Sequence, residues 1–562
     1  MQIIIPMSGF GERFRRGGYA IPKPLIEVGG KPIIEHVVNL FPGETDVTFI
    51  CNRDHLAEPS FGMRAILQRC CPTGRIVPIA PHKLGPVNAV MQMASEIADD
   101  RPVIVNYCDF ACYWDYEHFC RFVEETGCDG AIPAYRGFHP HALGPTPYAY
   151  LREANGWASA IQEKRPFTQA PMDEFASSGT YYFRSGALMK EAFSETIARN
   201  IHVNGEHYAS LAYTMLFERN ARIAVYELQH FMQWGTPGDL TEYLQYDRQF
   251  RALMRPQFRN PARHGGTLLL PMAGAGSRFA AQGYALPKPL IEVSGRAMAV
   301  AAARDLPVTP SQIFVLRRDQ PCVDKIAASV RAEFPSADIV MLDNPTDGQA
   351  VTCLKALNAV DMHAPLTIGA CDTGLLYDTD RFEALLSDDG TDVVVWGFRG
   401  HDGARRNPKA YGWIHAHSDQ VAGVTVKVPL RDPKTDPVIT GAFTFKRASN
   451  FKAVAERMIG RGGRVGGEFY VDTCINDAVE MGLKVRLFEV EAYLCWGTPN
   501  ELKTFEYWQS CFHKWADHPY TLSGDARVPL DRVDEIERRY GAKRPHTPSP
   551  PLPDGKAGTS DA

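Results

Sequence analysis

Two pairs of cations occur at one spacing in this chain of 562 residues: Arg13 with Lys23, and Arg278 with Lys288, ten residues apart in each case. Each arginine follows a glycine turn that ends an apolar run. The turns are "SGFGERF", with Ser8, Gly9 and Gly11, and "AGAGSRF", with Gly274, Gly276 and Ser277. Glycines there let the backbone approach a ligand and aim N–H groups at an anion. A planar guanidinium and a point-charge ammonium beside such donors make a cradle for a polyphosphate. Neither turn has the third glycine of a dinucleotide fingerprint, and neither is a Walker A loop. Two carboxylates complete the set. Asp109 follows "VIVNYC" and Asp372 follows "LTIGAC". An aspartate ending a central strand faces the crevice of an open α/β sheet and offers the hard oxygen that Mg²⁺ on phosphates requires. Asp115 and Asp378, six residues further on, read instead as turn or helix-cap residues.

The elements that must position these groups are themselves written twice. "GYAIPKPLIEVGG" (18–30) returns as "GYALPKPLIEVSG" (283–295). Further matched segments follow in register: "VIVNYCDF" with "LTIGACDT", "SSGTYYFRSG" with "ITGAFTFKRA", and "FMQWGTPGDLTEYLQY" with "YLCWGTPNELKTFEYW". The chain therefore reads as a tandem duplication, with copy one over 1–258, copy two over 265–515 and an extension over 516–562. Within a copy, short β-branched runs bounded by Gly, Pro or Asp alternate with helix-like segments such as "PVNAVMQMASEIA". That alternation predicts an α/β fold, a doubly wound and mainly parallel sheet in each copy. In the extension, "DHPYTLSGDARVPLDRVDEIERRYGA" has the pattern of one helix. The Pro/Ser/Gly-rich segment from about 542 is expected to be disordered.

Composition narrows the class. Apolar content of 45% and charged content of 22% suit a globular protein. A net charge of −5 gives no basic face for nucleic acid or anionic lipid. The opening "MQIIIPMSGFG" lacks a basic leader, and no run is long enough for a membrane span. The thirteen cysteines lack CxxC pairs, which predicts reduced thiols in a cytoplasmic protein and no zinc cluster.

With these residues the chain resembles the nucleoside-diphosphate-sugar pyrophosphorylases, the sugar-phosphate nucleotidyltransferase family. That family's signature reads Gly-x-Gly-Thr/Ser-Arg, a spacer, then Lys-Pro and an apolar residue. Copy two matches with Gly274, Gly276, Ser277, Arg278, Lys288 and Pro289. Copy one matches with Gly9, Gly11, Arg13, Lys23 and Pro24, but carries Glu12 at the small hydroxyl position. The resemblance implies a GT-A-like, Rossmann-like nucleotidyltransferase fold in each copy. It implies a turn that holds a nucleoside triphosphate, an arginine on the departing pyrophosphate and a lysine beside the reacting phosphates. It also makes Asp109 and Asp372 the ligands of Mg²⁺ or Mn²⁺. The second metal ligand of the family precedes a Gly-Thr pair. Gln233 is the candidate there in copy one, and Cys495, a poor Mg²⁺ ligand, stands there in copy two.

The resemblance also assigns the acceptor side. Glu163 and Lys164 match the family's Glu-Lys-Pro element, whereas copy two keeps Lys427 and has Val426 in place of the glutamate. Gly179 and Gly441 match its strand glycine. Gly412 matches a further acceptor-side glycine, which is Ala149 in copy one. Gly85 and Gly348 stand where the family reads the base. The expected reaction joins an NTP and a phosphorylated acceptor, a sugar 1-phosphate or phospho-alcohol, into an activated donor for surface-glycan synthesis. Two other readings stand beside it. A GT-A-type glycosyltransferase would need an Asp-x-Asp triplet, which "CDFAC" and "CDTGL" lack. One active copy with a non-catalytic, nucleotide-binding regulatory copy is the other.

Overall fold

The structure, a computed structural model, describes residues 1–145 and 148–541. It divides into two compact units, Met1–Leu244 and Gln245–Gly541, with the boundary inside the helix Pro237–Leu253. The tail expected to be disordered from about 542 lies outside the described residues.

In unit one the strand Gln2–Met7 pairs in parallel with Val47–Asn52 on one side and Val103–Asn106 on the other. Arg75–Ile79 extends this parallel set outward. Beyond Val103–Asn106 the pattern changes. Thr180–Phe183 is antiparallel to both its neighbours, Val103–Asn106 and Gly130–Tyr135. Ala149–Ala154 and Trp157–Glu163 form a hairpin. The mainly parallel expectation therefore holds for the half that carries the glycine turn, and the other half is mixed. The reason is connection length. Parallel neighbours need a crossover, whereas Asn155 and Gly156, both at positive φ, close a two-residue turn that only antiparallel strands can share.

Unit two repeats this order strand for strand, from Asp338–Leu342 through Ser311–Arg317, Thr267–Pro271 and Leu366–Ile368 to the hairpin Gly412–His417 with Gln420–Val426. Its nine strands match the ten of unit one because Pro437–Phe445 runs unbroken, while its counterpart is split into Phe175–Ser177 and Thr180–Phe183.

Alternation along the strands explains the apolar runs. Leu269, Ile313 and Val315 join one core with residues of the helices Gln349–Lys355, Ala448–Gly460 and Val471–Glu480. Leu268, Leu270, Phe314 and Leu316 join the opposite core with the helices Met298–Asp305, Val323–Glu333 and Thr379–Ser387. Both faces of the sheet are thus covered, so successive residues of a strand are all apolar. The thirteen cysteines are free thiols. Among the described residues no helix is long and apolar enough to cross a membrane.

The segment 516–541 belongs to unit two. Only Val533–Arg539 of it is α-helical, and Tyr520, Leu522 and Ile536 are fully buried. The single helix expected there is interrupted by turns that seat Arg527. Its Nε lies 3.1 Å from Oδ1 of Asp305, and its backbone N–H donates to Asp525 Oδ1 at 2.9 Å. Burial lifts both aspartates, and the guanidinium pulls them back down. Replacing Arg527 by Met leaves buried carboxylates without their cation, so unit two should lose about 3–5 kcal/mol. A urea titration of the full chain checks this; an unmoved transition would show that the extension is dispensable.

Candidate functional site

In copy one the glycine turn leads into the short helix Glu12–Arg16, and Gly11 caps it in the left-handed region at φ 64°. The "KPL" step of the repeated phrase forms a 3₁₀ turn, Lys23–Leu25, which sends the lysine back under the turn. Lys23 Nζ then donates to Asp109 Oδ2 at 2.8 Å. Burial alone would favour the neutral amine, but the Asp109 carboxylate outweighs it and holds Lys23 above the ordinary lysine range; Arg13 opposes this from nearby. Asp109 lies between Val103–Asn106 and Phe110–Tyr113, and its carbonyl accepts from Trp234 N at 3.0 Å. Asp115 and Asp378 are helix caps, accepting from His118 N and Arg381 N.

Two cavities meet at this pair. One is lined by Ser8, Gly9, Gly11, Lys23, His82 and Gly85. The other is lined by Arg13, Glu163, Lys164, Gly179, Gln233 and Thr236. Tyr107, Asp109 and Tyr208 border both. In the second, Ser210 Oγ donates to Glu163 Oε2 at 2.6 Å, and burial raises the Glu163 carboxyl above its usual range. Lys164, at φ 58°, donates to the Tyr208 hydroxyl, which donates to Glu206. The unusual Glu12 is also accounted for: its carboxylate pairs with Lys83 Nζ at 2.5 Å.

Copy two rebuilds the same centre. Lys288 donates to Asp372 and, at 3.3 Å, to the Gly497 carbonyl. Gly274, Gly276, Ser277, Arg278 and Lys288 line one cavity. A Cβ on Gly276 would lie 3.3 Å from Lys288 Cβ, so glycine lets the lysine pass close beneath the turn. Lys427, at φ 61°, donates to the Tyr470 hydroxyl at 2.9 Å, as Lys164 does to Tyr208. Gly441 keeps φ 88°, near the 97° of Gly179.

Residues 3–173 match the family described as the MobA-like NTP transferase domain. The N-terminal copy is therefore similar to nucleotidyltransferase domains over those residues. The chain is 26% identical over 156 residues to a mannose-1-phosphate guanyltransferase of Neurospora crassa, and 27% identical over 151 residues to one of Aspergillus fumigatus. Each alignment covers 26% of this chain and 40% of the relative, so the match spans about two fifths of those relatives' length. Among solved structures, a nucleoside-diphosphate-sugar pyrophosphorylase of Vibrio cholerae is 22% identical, with 42% of this chain and 98% of that chain covered and a TM-score of 0.34. An inositol-1-phosphate CTP transferase of T. maritima is 13% identical over 44% and 96%, with a TM-score of 0.35.

Several residues of the site had no sequence signal of their own. Glu206, Tyr208 and Ser210 lie in "NGEHYASLAYTM" (204–215) and Tyr470 in "GGEFYVDTCIND" (466–477), segments that match between the copies, and that match was the signal available for them. The donors suited to a cation converge on the glycine of each Gly-Thr pair. A Cβ on Gly235 would lie 3.0 Å from Asp109 Oδ2 and 3.3 Å from Gln233 Nε2, so both side chains reach this glycine. The Asp109 carboxylate is a hard donor that suits Mg²⁺, and Gln233 would have to turn its carbonyl oxygen inward to join it. A Cβ on Gly497 would meet Asp372 Oδ2 at 3.2 Å, Glu501 Oε2 at 3.4 Å and Cys495 Sγ at 3.7 Å. His401, Cys495 and Glu501 place ligand atoms within 4.8 Å of one another, a softer and mixed set. Neither His401 nor Glu501 was foreseen.

Gly85 and Gly348 are glycine for a reason the backbone supplies. Gly85 has φ 88°, and a Cβ there would lie 2.6 Å from His207 backbone atoms; at Gly348 it would lie 2.5 Å from Phe469 N. Gly85→Ala should therefore cost on the order of 2 kcal/mol or more. Gly9, with nothing within 4 Å of such a Cβ, should tolerate alanine with stability nearly unchanged. Chemical denaturation of both variants checks the contrast, which equal midpoints would refute.

Proposed function

We propose that this protein is a Mg²⁺-dependent nucleotidyltransferase that joins an NTP to a phosphorylated small-molecule acceptor. The products are an activated nucleoside-diphosphate-type donor and pyrophosphate. The observation that supports it is the Lys23–Asp109 pair at the junction of two cavities, one bounded by the glycine turn and the other by Glu163 and Lys164. A triphosphate in the first cavity and a phosphate monoester in the second would meet where that lysine stands. An acceptor phosphate oxygen forms a bond to the α-phosphorus as the bond to the bridging oxygen of pyrophosphate breaks. This chain supplies position and charge, the main requirements of such a transfer. Lys23 bridges the acceptor and the α-phosphate, and Arg13, which lines the second cavity together with Asp109, neutralises the leaving pyrophosphate. Glu163 accepts from an acceptor hydroxyl and Lys164 holds its phosphate. Bound at Asp109 with Gln233, Mg²⁺ would neutralise phosphate oxygens. In copy two the same roles fall to Arg278, Lys288, Asp372 and Lys427.

The reading extends to a cytoplasmic enzyme arising by tandem duplication, whose product feeds surface-glycan assembly and which binds neither nucleic acid nor membrane. Cys495 and Glu501 in place of Gln233 and Asp239 favour a copy two that differs in metal or turnover from copy one. It need not be silent, because its Lys288–Asp372 pair is kept.

Pyrophosphate release is measured for four NTPs against a panel of sugar 1-phosphates and phospho-alcohols. Removing one such cation costs about 3 kcal/mol of transition-state stabilisation, roughly a hundredfold in rate. Lys23→Ala and Lys288→Ala together should abolish release, and each alone should report the share of its own copy. Undiminished release in the double variant would refute the mechanism, and chelation of divalent cations should abolish release in the unsubstituted protein.

A further inference from the structure

Copy two lacks the acceptor glutamate at Val426, yet the surrounding positions do not simply decay. Ala149 faces Glu163 across the hairpin ladder of copy one, and Gly412 faces Val426 across that of copy two. A third position packs against this pair from the next helix. In copy one it is Ser210, on the helix Ala209–Glu218, bonded to Glu163. In copy two it is Asp472, on the helix Val471–Glu480. A Cβ on Gly412 would lie 2.5 Å from Asp472 Oδ2, closer than any real contact, so the alanine of copy one cannot coexist with this carboxylate where it stands. The three positions therefore exchange as a set: Ala, Glu and Ser in one copy, Gly, Val and Asp in the other.

The exchange conserves one carboxylate and moves it from strand to helix. Carrying both Glu and Asp would place two like charges together, and carrying neither would leave acceptor hydroxyls without a charged partner. Asp472 lies in the first helical turn, where the helix dipole favours an anion. It is only half-buried, and among the described residues its carboxylate accepts from its own backbone N–H and from no side chain. The neighbouring cation is Lys427, fixed on Tyr470, two residues before Asp472. Burial raises the Asp472 carboxyl to about 6, as befits an anion short of donors.

We propose that Asp472 is the acceptor-recognising carboxylate of copy two. With Lys427 it would take a hydroxyl and the phosphate of a phosphorylated polyhydroxy compound, reading that hydroxyl from the helix side where Glu163 reads it from the strand side. The two copies would then prefer different acceptors. This rests on the reading above that the crevice holds a phosphorylated acceptor.

The test uses the full chain carrying Lys23→Ala, so that turnover belongs to copy two, with inositol 1-phosphate, mannose 1-phosphate and glucose 1-phosphate as probes. Both pyrophosphate release and calorimetric binding are followed. Asp472→Asn and Asp472→Ser should raise the KM or Kd of the preferred probe about tenfold or more while the KM for NTP stays put. Gly412→Ala should lower Tm, and adding Asp472→Ser should restore it. Gly412→Ala with Val426→Glu and Asp472→Ser should shift preference toward that of copy one, measured in a Lys288→Ala chain. Acceptor use or binding indifferent to both Asp472 substitutions overturns the proposal alone. If copy two neither uses nor binds any probe while copy one does, the proposal falls together with the reading of copy two as an acceptor site.

Discussion

A lysine ammonium and an aspartate carboxylate, each largely removed from water, hold one another charged where a central strand ends. Everything else in either copy is arranged around that pair. Desolvation would drive Lys23 or Lys288 toward the neutral amine, and the partner carboxylate reverses it. Attraction between unit charges at 2.8 Å is strong wherever water is scarce, so neither partner is dispensable once the other is in place. The fold must therefore deliver both from distant parts of the chain. The lysine comes from a 3₁₀ turn just after the first helix, and the aspartate from the far side of a parallel strand pairing some 86 residues on. In copy two the glycine at 276 lets the turn close over the pair, because a Cβ there would lie 3.3 Å from Lys288 Cβ.

Two copies on one frame separate what the centre requires from what it permits. The Lys–Asp pair, the left-handed lysine bonded to a tyrosine hydroxyl, and the positive φ of the strand glycine recur in both. Among the positions near the centre that differ are Gln233 against Cys495, Asp239 against Glu501, Ser210 against Asp472, and Glu12 against Ser277. None of them supports the sheet. An isolated loss would leave a cavity or an unpaired charge, whereas changes on the rim can be answered by a neighbour, as Gly412 answers Asp472.

How much of this was legible follows from distance along the chain. The glycine turn, its two cations and the strand-end aspartate are short-range patterns, and their repetition made them plain. The parallel half of the sheet was legible from β-branched runs alternating with helices. The antiparallel half was not, because its signal was a two-residue turn, Asn155-Gly156, inside a longer polar stretch. Tyr208, Ser210, His401 and Glu501 enter the site by tertiary contact from elements whose sequences are ordinary for helices, hairpins and loops. Periodicity places such residues on an element but not against a partner. The extension over 516–541 was misjudged for a related reason. Its polar Asp525 and Arg527 look solvated in sequence, and only Asp305, some 220 residues earlier, makes their burial possible.

The separation of the two halves of each site along the sheet has a physical consequence. The glycine-turn side is built on parallel strands buried on both faces, where a change of volume is felt throughout the core. The side that carries Glu163 and Lys164 is built on a hairpin and one helix turn, where a side chain can be exchanged against its cross-strand neighbour without moving the strand that carries the aspartate. The hairpin side can therefore differ between the copies while the charged pair beside it keeps its geometry. Copy two shows this directly: glutamate, alanine and serine are all replaced, yet Lys288 still reaches Asp372 and Lys427 still reaches Tyr470.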